Sequence, residues 1–321
     1  MINIQKSYLF WLLIAISINI SSESMQDMGE HEHHHGMESH SKHTAKMHGP
    51  IDLMGDHLLK KGESMVSIRY MKMSMNQNYF DSKKISDAEI LQLPNPYGMP
   101  KNLSVVPQDM DMDMIMLGAM YAPTDQITFM SMTTFNAKSM NLRTYQPMMN
   151  RNALGNFSTN SSDLSIINLS ALLKIYDKDN SKFHAQIGIE KNIGKSDAKG
   201  QVLMPMGNVG SIVMPYGMQG GDKSLSLLSA ITYTKTYGVW KMGGQIRSKT
   251  NIKNKEWNFG DSDELNIWGQ RDINNISAWS LRVKVQDIKP IDGTDKNIRA
   301  PVQTADPRNY GGITVSLGIG L

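Results

Sequence analysis

DMDMDMIMLGAMYAPTDQITFMSMTTFNAK, from Asp109 to Lys138, alternates for almost its whole length. Met110, Met112, Met114, Met116, Gly118 and Met120 fall on one parity, and Ile115, Leu117, Ala119 and Tyr121 on the other. After Ala122-Pro123-Thr124-Asp125 the alternation resumes. Thr128, Met130, Met132, Thr134, Asn136 and Lys138 share one side, and Ile127, Phe129, Phe135 and Ala137 the other. A period of two over such runs predicts a β-hairpin whose faces meet different surroundings. Soluble strands usually run about 5–6 residues, and these arms are roughly twice that. Arms of about 9–11 residues or more are what a tilted strand needs to cross a bilayer in a barrel. An odd-numbered turn at Pro123 would set Met116 opposite Met130. Asn136 and Lys138 then mark the methionine face as the lumen, since charge is costly against lipid.

The rest of the chain repeats this unit. The first arm is Gly62 to Gln77, with Val66, Ile68 and Tyr70 on one parity and Arg69, Met71, Met73 and Met75 on the other. Arm four is Asp163 to Asp177, and arm five Lys182 to Ile193, with His184 and Glu190 on its inward parity. Arms six and seven are Lys223 to Thr236 and Val239 to Thr250. Arms eight and nine are Ser262 to Asp272 and Ile276 to Asp287, and the last is Asn309 to Leu321. Long loops are expected at 78–107, 142–162, 194–222, 251–261 and 288–308, with short turns between them. Strict alternation of long and short connections is the asymmetry of a bacterial outer-membrane barrel, with short periplasmic turns and long outer loops. A β-sandwich has no reason to keep it. The expected fold is all-β: an antiparallel transmembrane outer-membrane β-barrel of about 10–12 strands.

Three domains follow. Residues 1–24 read as a cleaved signal peptide, with Lys6 as the positive region, an apolar stretch from Tyr8 to Ile20, and small residues at Ser21, Ser22 and Ser24. Residues 25–57 form a periplasmic tail rich in His and Met, with almost no aliphatic content to bury, and are expected to be disordered. Residues 58–321 form the barrel. The net charge of +3 gives no reason to invoke nucleic acid, and the absence of cysteine excludes disulfides and cysteine-based zinc sites.

One resemblance is carried by two stretches. These are Met54-Gly55-Asp56-His57 running to Lys61-Gly62-Glu63-Ser64-Met65-Val66-Ser67-Ile68-Arg69-Tyr70-Met71-Lys72-Met73, and Met116-Leu117-Gly118-Ala119-Met120-Tyr121-Ala122-Pro123-Thr124-Asp125. The chain from Met54 to Leu321 resembles a family of bacterial outer-membrane, transporter-like barrels. That family is grouped with proteins labelled for the meta pathway of phenol degradation. The resemblance implies a Gram-negative outer-membrane location, lipid as a partner, and no defined solute. Chains of that family usually run on through one more hairpin to a terminal aromatic, whereas this one stops at Leu321. Ten strands or twelve both stay open.

The chemistry available is that of a transporter rather than an enzyme. There is no G-x-S-x-G motif and no phosphate-binding glycine loop. His184 is the only histidine outside the tail. The methionine content is unusual, at 26 against 7 phenylalanines. Thioether sulfur is a soft ligand suited to Cu(I). The candidate metal ligands are Met71, Met73, Met75, Met110, Met112, Met114 and Met116 in the upper lumen. His31, His33, His34, His35, His40 and His43 in the tail are candidates for Cu(II), Ni(II) or Zn(II). Arg69, His184 and Glu190 are the expected polar lumen residues. The expected function is transport or handling of a small solute, with copper or silver ions the solute that fits best. A channel for hydrophobic or aromatic molecules, and a structural or sensory barrel, remain the alternatives.

Overall fold

The computed structural model describes residues 13–18, 49–50, 52–148, 150–253, 256–274 and 277–321. In chain order the strands are β1 (Leu13–Ile18), β2 (Ser64–Asn76), β3 (Asn78–Phe80), β4 (Lys83–Ile85), β5 (Val105–Thr124), β6 (Ile127–Tyr145) and β7 (Ala153–Lys178). They continue with β8 (Ser181–Asn192), β9 (Lys199–Leu203), β10 (Val209–Val213), β11 (Leu225–Tyr237) and β12 (Trp240–Lys253). The last are β13 (Trp257–Asn258), β14 (Ser262–Asp272), β15 (Ala278–Ile288), β16 (Asp292–Gly293) and β17 (Gly312–Gly320). Strand makes up 64% of the chain against 5% helix, so the fold is all-β. Eleven strands form one antiparallel sheet in the order β1-β2-β5-β6-β7-β8-β11-β12-β14-β15-β17, curled into a half-barrel. Among the described residues its two edges, β1 and β17, are not paired with each other.

Ten of these strands correspond to the ten expected arms. The eleventh, β1, lies inside the segment read as a leader and occupies the free edge of β2, with Leu13 opposite Met71 and Ile18 opposite Val66.

The expected loop at 142–162 is a correction. β6 runs to Tyr145 and β7 starts at Ala153, so a short connection joins two long strands. The Asn- and Ser-rich sequence there reads as loop because polar residues dominate it. Beyond the apolar belt the convex face turns polar while Leu142 and Phe157 on the concave face pack on the loop core, and cross-strand hydrogen bonds satisfy the backbone regardless of side chain. The break at Ala122–Asp125 is a register shift within β5, which continues to Thr124.

The other long connections carry structure of their own, including the β3–β4 and β9–β10 hairpins and the short helix α1 (Asp87–Ile90). They meet in a shared core at the long-loop end, built on Tyr216, Met214, Trp257, Ile291 and Ile298. Tyr216 packs edge-on against Trp257, with centroids 4.8 Å apart. Tyr97 donates to Ala305 O at 2.7 Å, and Tyr310 donates to Thr304 O at 2.7 Å. Burial pushes the Tyr97 hydroxyl up to about 12 and also raises Tyr310. Both phenols therefore stay protonated donors at neutral pH. This cap closes one end of the curled sheet.

The two faces of the sheet differ in chemistry. The convex face exposes Ile115, Leu117, Leu169, Ile187, Ile231, Ile267 and Leu317. The change to polar residues falls between two adjacent cross-strand rows. Tyr70, Ile115, Phe135 and Leu164 form the last apolar row, and Lys72, Asp113, Ala137 and Ser162 the next. On β7 the apolar residues run from Leu164 to Ile175. That is roughly 37 Å along a strand at about 3.4 Å per residue, or roughly 28 Å tall at a tilt of about 40°. Toward the short turns the belt ends in exposed aromatics: Tyr121, Phe129, Tyr176, Tyr233, Trp240 and Trp279. No helix among the described residues is long and apolar enough to cross a membrane.

Candidate functional site

The concave face holds a strap, residues 52–59, that crosses it from wall to wall. This corrects the expectation that the tail is disordered as far as His57. Leu53 and Leu59 are buried, and the polar groups of the strap find partners on five separate strands. Arg282 on β15 forms an ion pair with Asp52. Gln245 on β12 donates to Met54 O at 3.0 Å. His184 Nε2 on β8 lies 2.7 Å from Gly55 O and therefore carries the proton there. Leu59 N donates to Thr128 Oγ1 on β6 at 3.1 Å, and the Arg69 guanidinium on β2 contacts the Met54 sulfur.

Gly55 makes the crossing sterically feasible. Its φ is +67°, and a Cβ there would lie 2.6 Å from Gln186 Oε1. Only glycine takes that conformation without cost. A polar-poor leader would have had no way to seat here. The strap carries two carboxylates and several free carbonyls, and the wall supplies matching donors.

The concave face is two-sided. One wall, on β2, β5 and β6, carries methionine. The other, on β8 to β15, carries His184, Gln186, Glu190, Gln245, Asn266 and Arg282, all buried. Glu190 pairs with Lys249 Nζ at 2.9 Å. Arg69, His184 and Glu190 all lie on the concave parity.

The upper methionines come together as cross-strand pairs. Met71 lies opposite Met114, Met73 opposite Met112, and Met75 opposite Met110. Met110 in turn lies opposite Met140. Met71 is buried at 7% exposure, and Met110 packs against the cap core that contains Met140. These pairs lie above the apolar belt, at the long-loop end. Lys138, opposite Met112, donates to Gly217 O and Gln219 O at 2.9 and 2.7 Å, tying the cap to this wall. The expected opposition of Met116 and Met130 is corrected. Met116 lies opposite Thr134, and Met130 opposite Met120. The face is the expected one, but the turn sits at Asp125 and Gln126, just beyond Pro123. His31, His33, His34, His35, His40 and His43 lie outside the described residues.

Sequence reasoning missed the strap and the methionines beneath it. Met65, Met120, Met130 and Met132 share the concave parity with Met116, and that parity alone could have grouped them. Asp52 and Arg282 are 230 residues apart, and nothing local connects them. A hollow of about 690 Å3 lies on the convex face between Tyr121, Phe129, Leu169 and Ile187. It is almost wholly apolar and lies in the belt, outside the lumen. Comparison with known proteins finds no family model that matches the chain and no curated protein that matches it.

Proposed function

We propose that the chain is an exported outer-membrane β-barrel that passes a small solute, a soft metal ion being the solute its lumen suits best, and that the strap keeps it closed. One observation carries this reading. A single sheet has an apolar belt with an aromatic rim on one face, and a methionine-and-polar lining crossed by a hydrogen-bonded strap on the other. The resemblance to outer-membrane, transporter-like barrels supports the same reading. The belt height matches the apolar band of roughly 25 Å that such barrels present to lipid.

Two expected results test it. An epitope inserted at Gly207, at the tip of the β9–β10 hairpin, is expected to be labelled on intact cells. One at Asn180, in the short β7–β8 turn, is not. The reverse pattern would invert the topology, and labelling of both would end the reading. Closure is the second. Removal of the leader would take β1 with it and free the edge of β2. The descending β17 could then pair there antiparallel, closing ten strands. The native chain has no cysteine, so introduced pairs report cleanly. A cysteine at Ile68 is expected to cross-link in the mature chain with one of those placed in turn at Ile313, Val315, Leu317 and Ile319. No cross-link at any of them means the sheet stays open.

A further inference from the structure

A small hollow lies at belt depth between the strap and the wall of β2, β5 and β6. Met54, Asp56 and His57 line it from the strap, and Met65, Arg69, Met116, Met120, Met130 and Met132 from the wall. Its free space is about 20 Å3, room for one water or ion and far too little for an organic solute.

We propose that this hollow binds one soft monovalent cation, Cu(I) or its stable mimic Ag(I), through His57 Nε2 and two or three of these thioethers. The proposal rests on the reading of the lumen as a soft-ion path and assigns the ion a place on it. That place is distinct from the upper pairs of Met71–Met75 with Met110–Met114.

Ligand chemistry is the first argument. Neutral sulfurs with one imidazole form a set that favours Cu(I) over hard or borderline ions. Among the described residues no three His, Asp or Glu side chains gather into a harder alternative. Orientation is the second. His57 Nδ1 lies 3.0 Å from Asp56 Oδ1, and both residues are nearly buried. A carboxylate on one ring nitrogen fixes the tautomer and presents the other as a ligand, the usual support for a metal-bound histidine. The carboxylate also offsets the Arg69 guanidinium that lines the same hollow, so a bound monovalent ion does not add to an uncompensated charge.

Space is the third argument. Gly118 lies between Met116 and Met120 on the same concave parity, opposite Ser67 and Met132. A Cβ there would lie 2.7 Å from Ser67 Oγ. A side chain at this position would crowd the gap between the sulfurs. The plainer account is that methionine fills irregular space well, and Met65, Met120 and Met130 do pack on Leu59 and Leu172. Packing explains that lower layer. It does not explain a buried Asp–His pair set against a methionine wall.

The test uses the full chain in detergent, methyl-labelled at methionine, with one equivalent of Ag(I). Methyl signals of Met116, Met120, Met130 or Met132 are expected to move, and silver X-ray absorption is expected to show sulfur neighbours with one nitrogen. Replacing Met116, Met120, Met130 and Met132 with Leu is expected to weaken binding of that equivalent at least tenfold and remove the sulfur shell. Replacing Met206 and Met242, which are exposed and do not line the hollow, with Leu is expected to leave both unchanged. A nitrogen-only shell, with no movement of these methyls, would place the ion on histidines elsewhere and overturn the proposal. So would a sulfur shell that survives in the first variant and is lost when Met71, Met73, Met112 and Met114 are replaced with Leu, which puts the ion in the upper pairs while leaving the transport reading intact. If the first variant does not assemble, the methyl shifts of the unsubstituted chain decide by themselves.

Discussion

Deletion of Asp52–His57 is expected to turn a closed barrel into a conducting one. In planar bilayers the parent should show no resolved conductance steps, and the deletion should show discrete ones, with ion flux into vesicles rising at least tenfold. The physical reason is cross-section. A barrel of about ten strands lies between the eight-stranded size that side chains fill and the larger barrels that hold open water. The strap is an added chain through that narrow interior, and removing it opens a slot about one backbone wide, roughly 5 by 10 Å. The groups it leaves behind, Gln245, His184 and Arg282, are polar and will take water in its place. The deletion therefore should not cost the 3–5 kcal/mol typical of a buried charge stranded in a dry site. It should also change selectivity. Asp52 and Asp56 leave with the strap, while Arg69 and Arg282 stay on the wall, so the open pore should prefer anions. A parent that already conducts as well as the deletion would show that the strap is not the closure.

The fold was readable where side-chain chemistry changes with a period of two. The hairpin at Asp109–Lys138, arm five with its inward His184 and Glu190, and the belt on arm four are set by that period alone. A one-residue slip would turn Ile187 or Leu169 to the wrong face, so register is strongly specified there. Readability failed where chemistry stopped alternating. Asn156 to Ser162 extends a strand that is polar but for Phe157, and composition cannot distinguish that from a loop. It also failed for contacts made far along the chain. Met54-Gly55-Asp56-His57 looked like the end of a polar tail because nothing nearby pairs with it. Its partners are Arg69, Thr128, His184, Gln245 and Arg282, gathered by the curl of the sheet. Low aliphatic content was taken to forbid a buried position, but a lumen lined by donors and acceptors can seat a polar chain as well as a core seats an apolar one. The methionine row was legible as a row. Which of its members share a hollow was not, because that depends on Gly118 and on a strap the local sequence does not place.

Leu169→Arg is expected to cost about 2–4 kcal/mol of folding free energy in lipid vesicles, and Asn160→Arg about 0–1 kcal/mol. Both sites are on β7, both are solvent-accessible on the convex face, and both replacements add the same charge. They differ in depth. Leu169 lies near the middle of the run from Leu164 to Ile175, and Asn160 lies beyond its polar edge. At the bilayer midplane an arginine must be dehydrated, or must draw water and headgroups inward, and the cost falls away toward the interface. About 3 kcal/mol corresponds to a change of roughly a hundredfold in the folding equilibrium, well within reach of a urea titration with vesicle-inserted protein. Ile189→Arg, opposite Leu169 on the neighbouring strand, should behave as Leu169→Arg does. The comparison separates a lipid-facing belt from an exposed apolar surface in water. If the convex face met water, an arginine at position 169 would cost no more than one at 160 and would improve solubility. Equal stabilities for the two variants would therefore remove the membrane from the account of this fold, whatever the concave face binds.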